Sequence, residues 1–221
     1  MATEAQATCD DSRPYGAVWP WPGWLGLAAG LVLFVSFAAH QLVSVDLGYH
    51  LAYGRWMVEH RQVLDANRMS FTCPGHPFVN ANWGFQLLLY CVYALGGAVG
   101  LSAMLIGLVG AIGAAMAWMM HRRGVAPMAI GAALTAAALT CHERFTLRPE
   151  LMSVLGLVCT AILVDRLARG SRSSLAWLGV VQVLWVNSHS YFLLGPGLLG
   201  AHLGANGLFW LWARWRGAVQ P

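Results

Sequence analysis

The sequence predicts an all-α integral membrane protein with about six transmembrane helices. Three observations predict this class: 58% of the 221 residues are hydrophobic, only 10% are charged, and long apolar runs recur along the chain. A soluble domain is about 25% charged, so this chain has too little polar surface to cover itself in water. The 11 Trp residues fit the same class, because Trp favours the membrane–water interface.

The first apolar run, Trp24–Val43, is long enough to cross a bilayer core of about 30 Å. A polar stretch follows it, and the three-and-four spacing of its apolar residues predicts an amphipathic juxtamembrane helix over Asp46–Val63. Cys-Pro-Gly and His-Pro then predict a loop over Leu64–Asn82. Trp83–Leu95 is apolar but short for a span, and it stops at two glycines.

The rest of the chain alternates apolar runs with Arg-bearing junctions, which predicts five further crossings. The last run is long enough for two crossings, because Asn187–Ser190 and Gly195-Pro196 interrupt it. The runs are Val99–Met120, Val125–Cys141, Leu151–Val164 and Leu175–Trp212.

Arginine sidedness decides whether Trp83–Leu95 crosses. If it lies in the outer interface or re-enters, and the N-terminus is cytoplasmic, eight arginines are inside and five outside. If it crosses, only three are inside and ten are outside. The positive-inside rule favours the first arrangement. We therefore predict one transmembrane domain over 1–221 with a long first outer loop over 44–98 and both termini cytoplasmic.

The arginines and cysteines exclude other classes of site. All 13 basic residues are Arg, and they stand at the ends of apolar runs rather than in a basic stripe. We therefore expect membrane lipids as partners and no nucleic acid. The five cysteines are dispersed without a C-x-x-C pair, which argues against a disulfide framework and against a zinc site; no metal-binding residues are assigned. His40 and His202 lie in apolar runs, where a structural hydrogen bond is expected rather than haem.

The predicted topology places polar residues from three separate loops on the outer side. Ionisable groups near a membrane are costly and usually face a functional cavity. One aqueous outer site is therefore expected. Its candidate residues are Asp46, His50, Asn82, Arg148, Glu150, Asn187 and His189.

Four of these candidates have two interpretations. Asp46 precedes His50 by four residues, so its carboxylate can orient the imidazole or act as a base, or it can cap the helix. Arg148 can bind phosphate oxygens or anchor in lipid headgroups. Asn187 and His189 can line the site or make interhelical hydrogen bonds.

Several short motifs resemble a family of bacterial polytopic membrane proteins whose layout is similar to the GT-C class of glycosyltransferases. That family has D-x-x-x-H-L after its first span, then W-x-x-E-x-L, R-P and W-x-N-x-H. The corresponding residues are Asp46 to Leu51, Trp83 to Leu88, Arg148-Pro149 and Trp185 to His189. Gln86 stands where the family often has Glu, and no D-x-D pair follows the first span.

The resemblance implies a location in a bacterial cytoplasmic (inner) membrane. It also implies transfer of a sugar from a polyprenyl-phosphate-linked donor on the outer face of that membrane. It implies that Asp46 is the catalytic base or a metal-directing carboxylate, so a divalent metal stays open as a cofactor. The charge of Arg148 suits the donor phosphate. GT-C enzymes are about twice this length, so the chain is expected to correspond to the N-terminal portion of such a protein. The alternative function is a non-enzymatic membrane protein, either an assembly subunit or a degenerate homologue.

Overall fold

The computed structural model describes residues 20–42 and 44–216, and over this part the protein is helical without a β-strand. The prediction of an all-α protein is confirmed. Three helical segments are long and apolar enough to cross a membrane: Trp83–Arg122, Glu150–Ala168 and Ser190–Trp215. The α-helices of this part are α1 Trp21–Ser36, α2 Leu47–His60, α3 Trp83–Arg122, α4 Pro127–Cys141, α5 Glu150–Ala168, α6 Ser173–Val186 and α7 Leu194–Trp215.

The first helix differs from the predicted span Trp24–Val43. It begins at Trp21, because Pro22 in its first turn has the fixed φ that starts a helix well. It ends at Ser36, whose hydroxyl donates a hydrogen bond to the carbonyl of Leu33. Its 16 residues extend about 24 Å, short of a bilayer core. Val43 lies outside the described residues.

The fifth helix is longer than the apolar run Leu151–Val164 that predicts it. It begins at Glu150 and continues to Ala168. Asp165 accepts a hydrogen bond from Arg169 at 2.7 Å and another from Arg123 at 3.2 Å, so this charged turn is satisfied while still helical. A prediction from apolar residues alone therefore stops one turn early.

Glycines let α1 and α4 pack backbone to backbone. A Cβ at Gly30 would lie 2.7 Å from the Cα of Gly131, closer than any real Cβ contact. At the far end of the pair, the ring centroids of Phe37 and His142 are 5.1 Å apart. The two helices therefore run in parallel.

The third helix reverses direction at Gly97, whose φ of 56° is open mainly to glycine. Beyond the reversal, a Cβ at Gly100 would lie 2.9 Å from the carbonyl oxygen of Val92. We call the part before Gly97 α3a and the part after it α3b. A straight helix would separate residues 92 and 100 by about 12 Å, so α3a and α3b fold back on one another at this point.

The α3b helix runs antiparallel to α1. The rings of Trp24 and His121 are 5.3 Å apart, and a Cβ at Gly110 would lie 3.8 Å from Val35. At 1.5 Å per residue, residue 98 then lies about 18 Å beyond Val35, past the end of α1. Residue 98, just after α3a, therefore lies at the end of the bundle where α1 ends. The start of α3a lies at the same end, because Gly84 donates a backbone hydrogen bond to Asn187 at the end of α6.

The bundle has two distinct ends. The polar end comprises residues 37–50, 80–86, 142–153 and 185–195. The arginine end comprises residues 21–24, 118–128 and 165–174. Helices α1, α3b, α4, α5 and α6 run between them; α7 begins at the polar end and packs against α5.

The second helix lies where the amphipathic pattern predicts a helix, and it packs on α3a. A Cβ at Gly54 would lie 2.7 Å from the Cβ of Tyr90, so this contact requires glycine. Leu64 and Phe85 are fully buried beneath the pair. The loop that follows α2 has no helix over 64–82, as predicted, and is closed by one isolated bridge between Ala66 and Pro77.

The outer surface of the bundle is apolar. In the most apolar stretch of the last candidate span only 6% of the residues are buried. The exposed side chains there include Leu208, Phe209 and Trp210. This is the reverse of a soluble fold and is compatible with a helical membrane protein.

Candidate functional site

The polar end brings Asp46 and Arg148 together across 102 residues of sequence. The Arg148 Nη2 atom lies 3.4 Å from Asp46 Oδ2, and each side chain is more than one third exposed. Arg148 Nε also donates a hydrogen bond of 3.4 Å to the hydroxyl of Ser44. The pair is therefore held at the surface of the polar end, where solvent reaches both groups.

Asp46 stands in the N-cap position of α2, but its side chain makes no capping hydrogen bond. Its backbone N–H donates to Ser44 Oγ at 3.3 Å. A cap carboxylate would accept from the first-turn N–H groups, whereas this one is directed to Arg148. The geometry therefore removes the capping interpretation and leaves Asp46 as an ion-pair partner.

His50 is 1% exposed and is fixed by a chain of side-chain amides. Asn80 Nδ2 donates to Gln86 Oε1 at 2.8 Å, which orients the Gln86 amide so that its Nε2 donates to His50 Nδ1 at 3.2 Å. His50 Nδ1 is therefore the acceptor, and the ring proton is on Nε2. Burial lowers the pKa of His50 to about 4, so the imidazole is neutral at pH 7.

Charged neighbours act on His50 in opposite directions. Asp46 raises its pKa, while Arg148 and His189 lower it, and all three effects are smaller than that of burial. The four residues are therefore close enough to interact electrostatically. The ring of Tyr49 lies against that of His50, tilted by 40° with centroids 4.1 Å apart. Burial, and after it the charge of Asp46, raises the pKa of the Tyr49 phenol.

His189 is buried at the start of the segment between α6 and α7. Trp185 Nε1 donates to Ser153 Oγ at 2.7 Å, and Ser153 Oγ lies 2.6 Å from His189 Nδ1. Burial lowers the pKa of His189, and Glu150 opposes this effect. The interhelical hydrogen bond that was the alternative for His189 is therefore present, and it links α5 to the end of α6.

Asn187 joins the start of α3a to the end of α6. Its Oδ1 accepts a hydrogen bond of 2.9 Å from Trp83 Nε1, and its backbone carbonyl accepts one of 2.7 Å from Gly84 N–H. A Cβ at Gly84 would lie 2.7 Å from that carbonyl oxygen, so the contact requires glycine. Asn187 is thus engaged within the protein, as its structural interpretation predicts.

Asn82 and Glu150 are the least constrained of the candidates. Within the described residues, the buried Oδ1 of Asn82 has no hydrogen-bond partner. Such an atom is costly to bury and is a ready acceptor for a hydroxyl or a water molecule. Glu150 lies 3.8 Å from Arg144 in an exposed, loose ion pair.

Three residues of this network, Gln86, Ser44 and Ser153, were not candidates from the sequence. Gln86 replaces an acid in the family pattern, yet its amide is what orients His50. Ser44 and Ser153 carry no motif; an isolated Ser one turn into an apolar helix is the only signal for Ser153. Asn80 is among the polar residues that the predicted topology places on the outer side, and its amide is the one that orients Gln86.

The arrangement combines a half-buried carboxylate, a half-buried guanidinium and two buried neutral imidazoles. A carboxylate beside bulk solvent can accept a proton, and a guanidinium can bind a phosphate oxygen once its carboxylate partner moves. Over residues 20–42 and 44–216, no group of three or more His, Cys, Asp and Glu side chains is arranged to hold a metal ion.

Comparison with known proteins adds no relative. No family model, curated protein or solved structure matches the chain.

Proposed function

We propose that the chain is a GT-C-like membrane glycosyltransferase, or the N-terminal part of one. It transfers sugar from a polyprenyl-phosphate-linked donor on the outer face of the membrane. The observation that carries the proposal is the surface pair of Asp46 and Arg148, which the fold assembles from two distant segments. An accessible base next to an accessible phosphate-binding group is what this transfer requires.

In the proposed reaction Arg148 leaves Asp46 and binds the phosphate oxygens of the donor. Asp46 then accepts the proton of the acceptor hydroxyl, whose oxygen attacks C1 of the sugar. The bond between C1 and the phosphate oxygen breaks, and the polyprenyl phosphate departs with the electron pair, its charge held by Arg148. His50 is a positioning residue, since its 1% exposure keeps it from substrate.

The proposed topology has six crossings, with α2 and α3a at the outer surface and the polar end outside. The reversal at Gly97 supports it, because α3a begins and ends at the same end of the bundle. Eight arginines then face the cytoplasm and five face outward. The short helices cross if the flanking residues snorkel or the bilayer thins locally.

Single-cysteine labelling tests this topology. In a background without the native thiols, an impermeant reagent added outside intact cells should label positions 75 and 145. Positions 124 and 170 should react only after permeabilisation. Labelling of 170 without 75 from outside would reverse the orientation.

The catalytic role of Asp46 is tested by Asp46→Asn. The amide cannot accept the acceptor proton, so transfer from a polyprenyl-phosphate-linked sugar should fall about 10²–10⁴-fold. Helix capping does not enter, because Asn caps as well as Asp. Glu59→Gln is the matched control: Glu59 is an exposed carboxylate on the same helix, paired with Arg55. Unchanged transfer by Asp46→Asn would reject the assignment.

Arg148→Lys tests the phosphate contact separately. Lysine keeps the charge but lacks the planar fork, so the KM for the donor should rise while membrane insertion is unchanged. A headgroup anchor would tolerate the exchange with no change in KM.

The second candidate is a non-enzymatic membrane protein. The observation favouring it is that the predicted site residues already satisfy one another: Asp46 with Arg148, His50 with Gln86, and His189 with Ser153. Under this reading Asp46→Asn lowers thermal stability because Arg148 loses its partner, and no transfer is detected for any variant.

A further inference from the structure

The arginine end carries a cavity of about 360 Å³ between the end of α3b and the turn that joins α5 to α6. The site proposed above lies at the opposite end of the bundle and uses none of its residues. The cavity is lined by Trp118, Met119, Arg122, Asp165, Arg166, Arg169 and Ser171.

The charge at this end is unbalanced. Residues 121–126 and 165–172 contain five arginines and one acidic residue. That residue, Asp165, is shared by Arg123 and Arg169, at 3.2 and 2.7 Å. Within residues 20–42 and 44–216, no carboxylate pairs with Arg122 or Arg166. Two guanidinium groups therefore face the cavity with their charge uncompensated by the described part of the chain.

The surroundings of these two groups favour an anion. Arg122 lies over the ring of Trp118, 5.9 Å from its centroid, so one face of the guanidinium is covered while its N–H edge stays open. Ser171 lines the cavity two residues before α6 begins, and the first turn of α6 adds the positive end of a 14-residue helix dipole. Guanidinium groups and a helix N-terminus are the groups with which proteins bind phosphate oxygens.

We propose that this cavity binds a phosphate group, with Arg122 and Arg166 as its principal ligands. A phosphate reaches this position either as the headgroup of an anionic lipid or as a soluble phosphate ester. A lipid source suits the position of Trp118, because Trp favours headgroup depth. The proposal does not depend on the glycosyltransferase assignment.

The test uses the purified full chain in neutral detergent, with two probes. Native mass spectrometry compares adducts of dioleoylphosphatidic acid with those of dioleoylphosphatidylcholine, which has the same tails and no net charge. Thermal unfolding compares inorganic phosphate with chloride at equal ionic strength. The variant is Arg122→Gln with Arg166→Gln; Arg172→Gln, in the same turn but outside the cavity lining, is the matched control.

We expect the wild-type chain to retain phosphatidic acid at least about tenfold better than phosphatidylcholine. Phosphatidic acid is a phosphate monoester with a free anionic headgroup, whereas the phosphate of phosphatidylcholine is a diester whose charge is balanced by its own choline cation. The double variant should lose this preference and Arg172→Gln should keep it. If inorganic phosphate stabilises the wild-type chain but not the double variant, the phosphate comes from a soluble ester. If inorganic phosphate has no effect while the chain still prefers phosphatidic acid, the phosphate is that of a lipid headgroup.

Two results would overturn the proposal. One is a wild-type chain that neither prefers phosphatidic acid nor responds to phosphate. The other is equal loss of binding in Arg172→Gln and in the double variant, which would show a general effect of charge rather than a site. Far-ultraviolet circular dichroism and gel filtration of each variant establish that it is folded.

Discussion

Acidification should destabilise this protein through His50. Burial, the main cause, lowers the pKa of His50 from 6.5 to about 4 in the folded chain. In the unfolded chain the imidazole binds its proton near pH 6.5. The unfolded state therefore binds more protons between pH 6.5 and 4. The stability that the neutral imidazole contributes is fully present above pH 6.5 and is lost as the pH falls through this window.

The expected loss follows from the size of the pKa difference. One pKa unit corresponds to about 1.4 kcal/mol, so a gap of roughly 2.5 units amounts to about 3 kcal/mol below pH 4. At pH 5 about 2 kcal/mol is already lost. In a chain of this length each kcal/mol shifts the Tm by about 2–4 °C. Acidification from pH 7.5 to pH 5 should therefore lower the Tm by about 4–8 °C through His50 alone.

Thermal unfolding followed by Trp fluorescence measures this loss in the purified, detergent-solubilised chain. His50→Asn is the informative variant, because an Asn oxygen can replace Nδ1 as the acceptor for Gln86 while the side chain cannot titrate. His76→Asn is the control, since His76 is exposed. The drop in Tm on acidification should be about 4–8 °C smaller in His50→Asn than in the wild-type chain, and unchanged in His76→Asn. An equal acid response in all three proteins would refute the reasoning.

Two further predictions concern packing and buried polar groups. Gly30→Ala should lower the free energy of unfolding by about 1–3 kcal/mol, because the new Cβ meets the α4 backbone. Gly107→Ala is its control: it has open space around it and should stabilise α3b by up to about 1 kcal/mol. Equal Tm values for the two variants would contradict this prediction. Ser153→Ala leaves Trp185 and His189 without their buried hydrogen-bond partner. It should lower the free energy of unfolding by about 1–3 kcal/mol for each of them, measured by the same unfolding assay. Ser102→Ala, a partly buried Ser in α3b, is its control, and an equal effect would show that the hydrogen bonds contribute nothing.

The sequence predicts the helices better than their ends. Apolar runs locate α3b and α5 because their side chains face an apolar surrounding. Helix ends depend on local hydrogen bonds and ion pairs, and apolarity does not report these. Pro22 therefore starts α1 before its apolar run, and the Asp165–Arg169 pair carries α5 past the end of its own.

The sequence predicts which charged residues belong to the candidate site, but not which residues they contact. Asp46 and Arg148 are recognisable as charged residues beside apolar runs, and sidedness alone places them in one region. Which partner each residue takes depends on the register between packed helices. That register is set here by glycines such as Gly54 and Gly84, where backbones meet. A single sequence does not reveal this register, so the roles of Gln86 and Ser153 could not be predicted from it.

Two independent lines of reasoning agree on the segment before Gly97. The arginine count uses only the charges of distant loops, and it favours a segment that does not cross. The backbone reversal uses only local geometry: a positive φ at Gly97 and the close approach of Gly100 to Val92. Neither depends on the other: the count favours a segment that stays on one side of the membrane, and the geometry puts α3a beside α2 at the polar end. Without that reversal α3a would carry residue 97 to the arginine end, and α3b could not run antiparallel to α1. The position of Gly97 is therefore the feature on which the proposed sidedness of Asp46 and Arg148 depends.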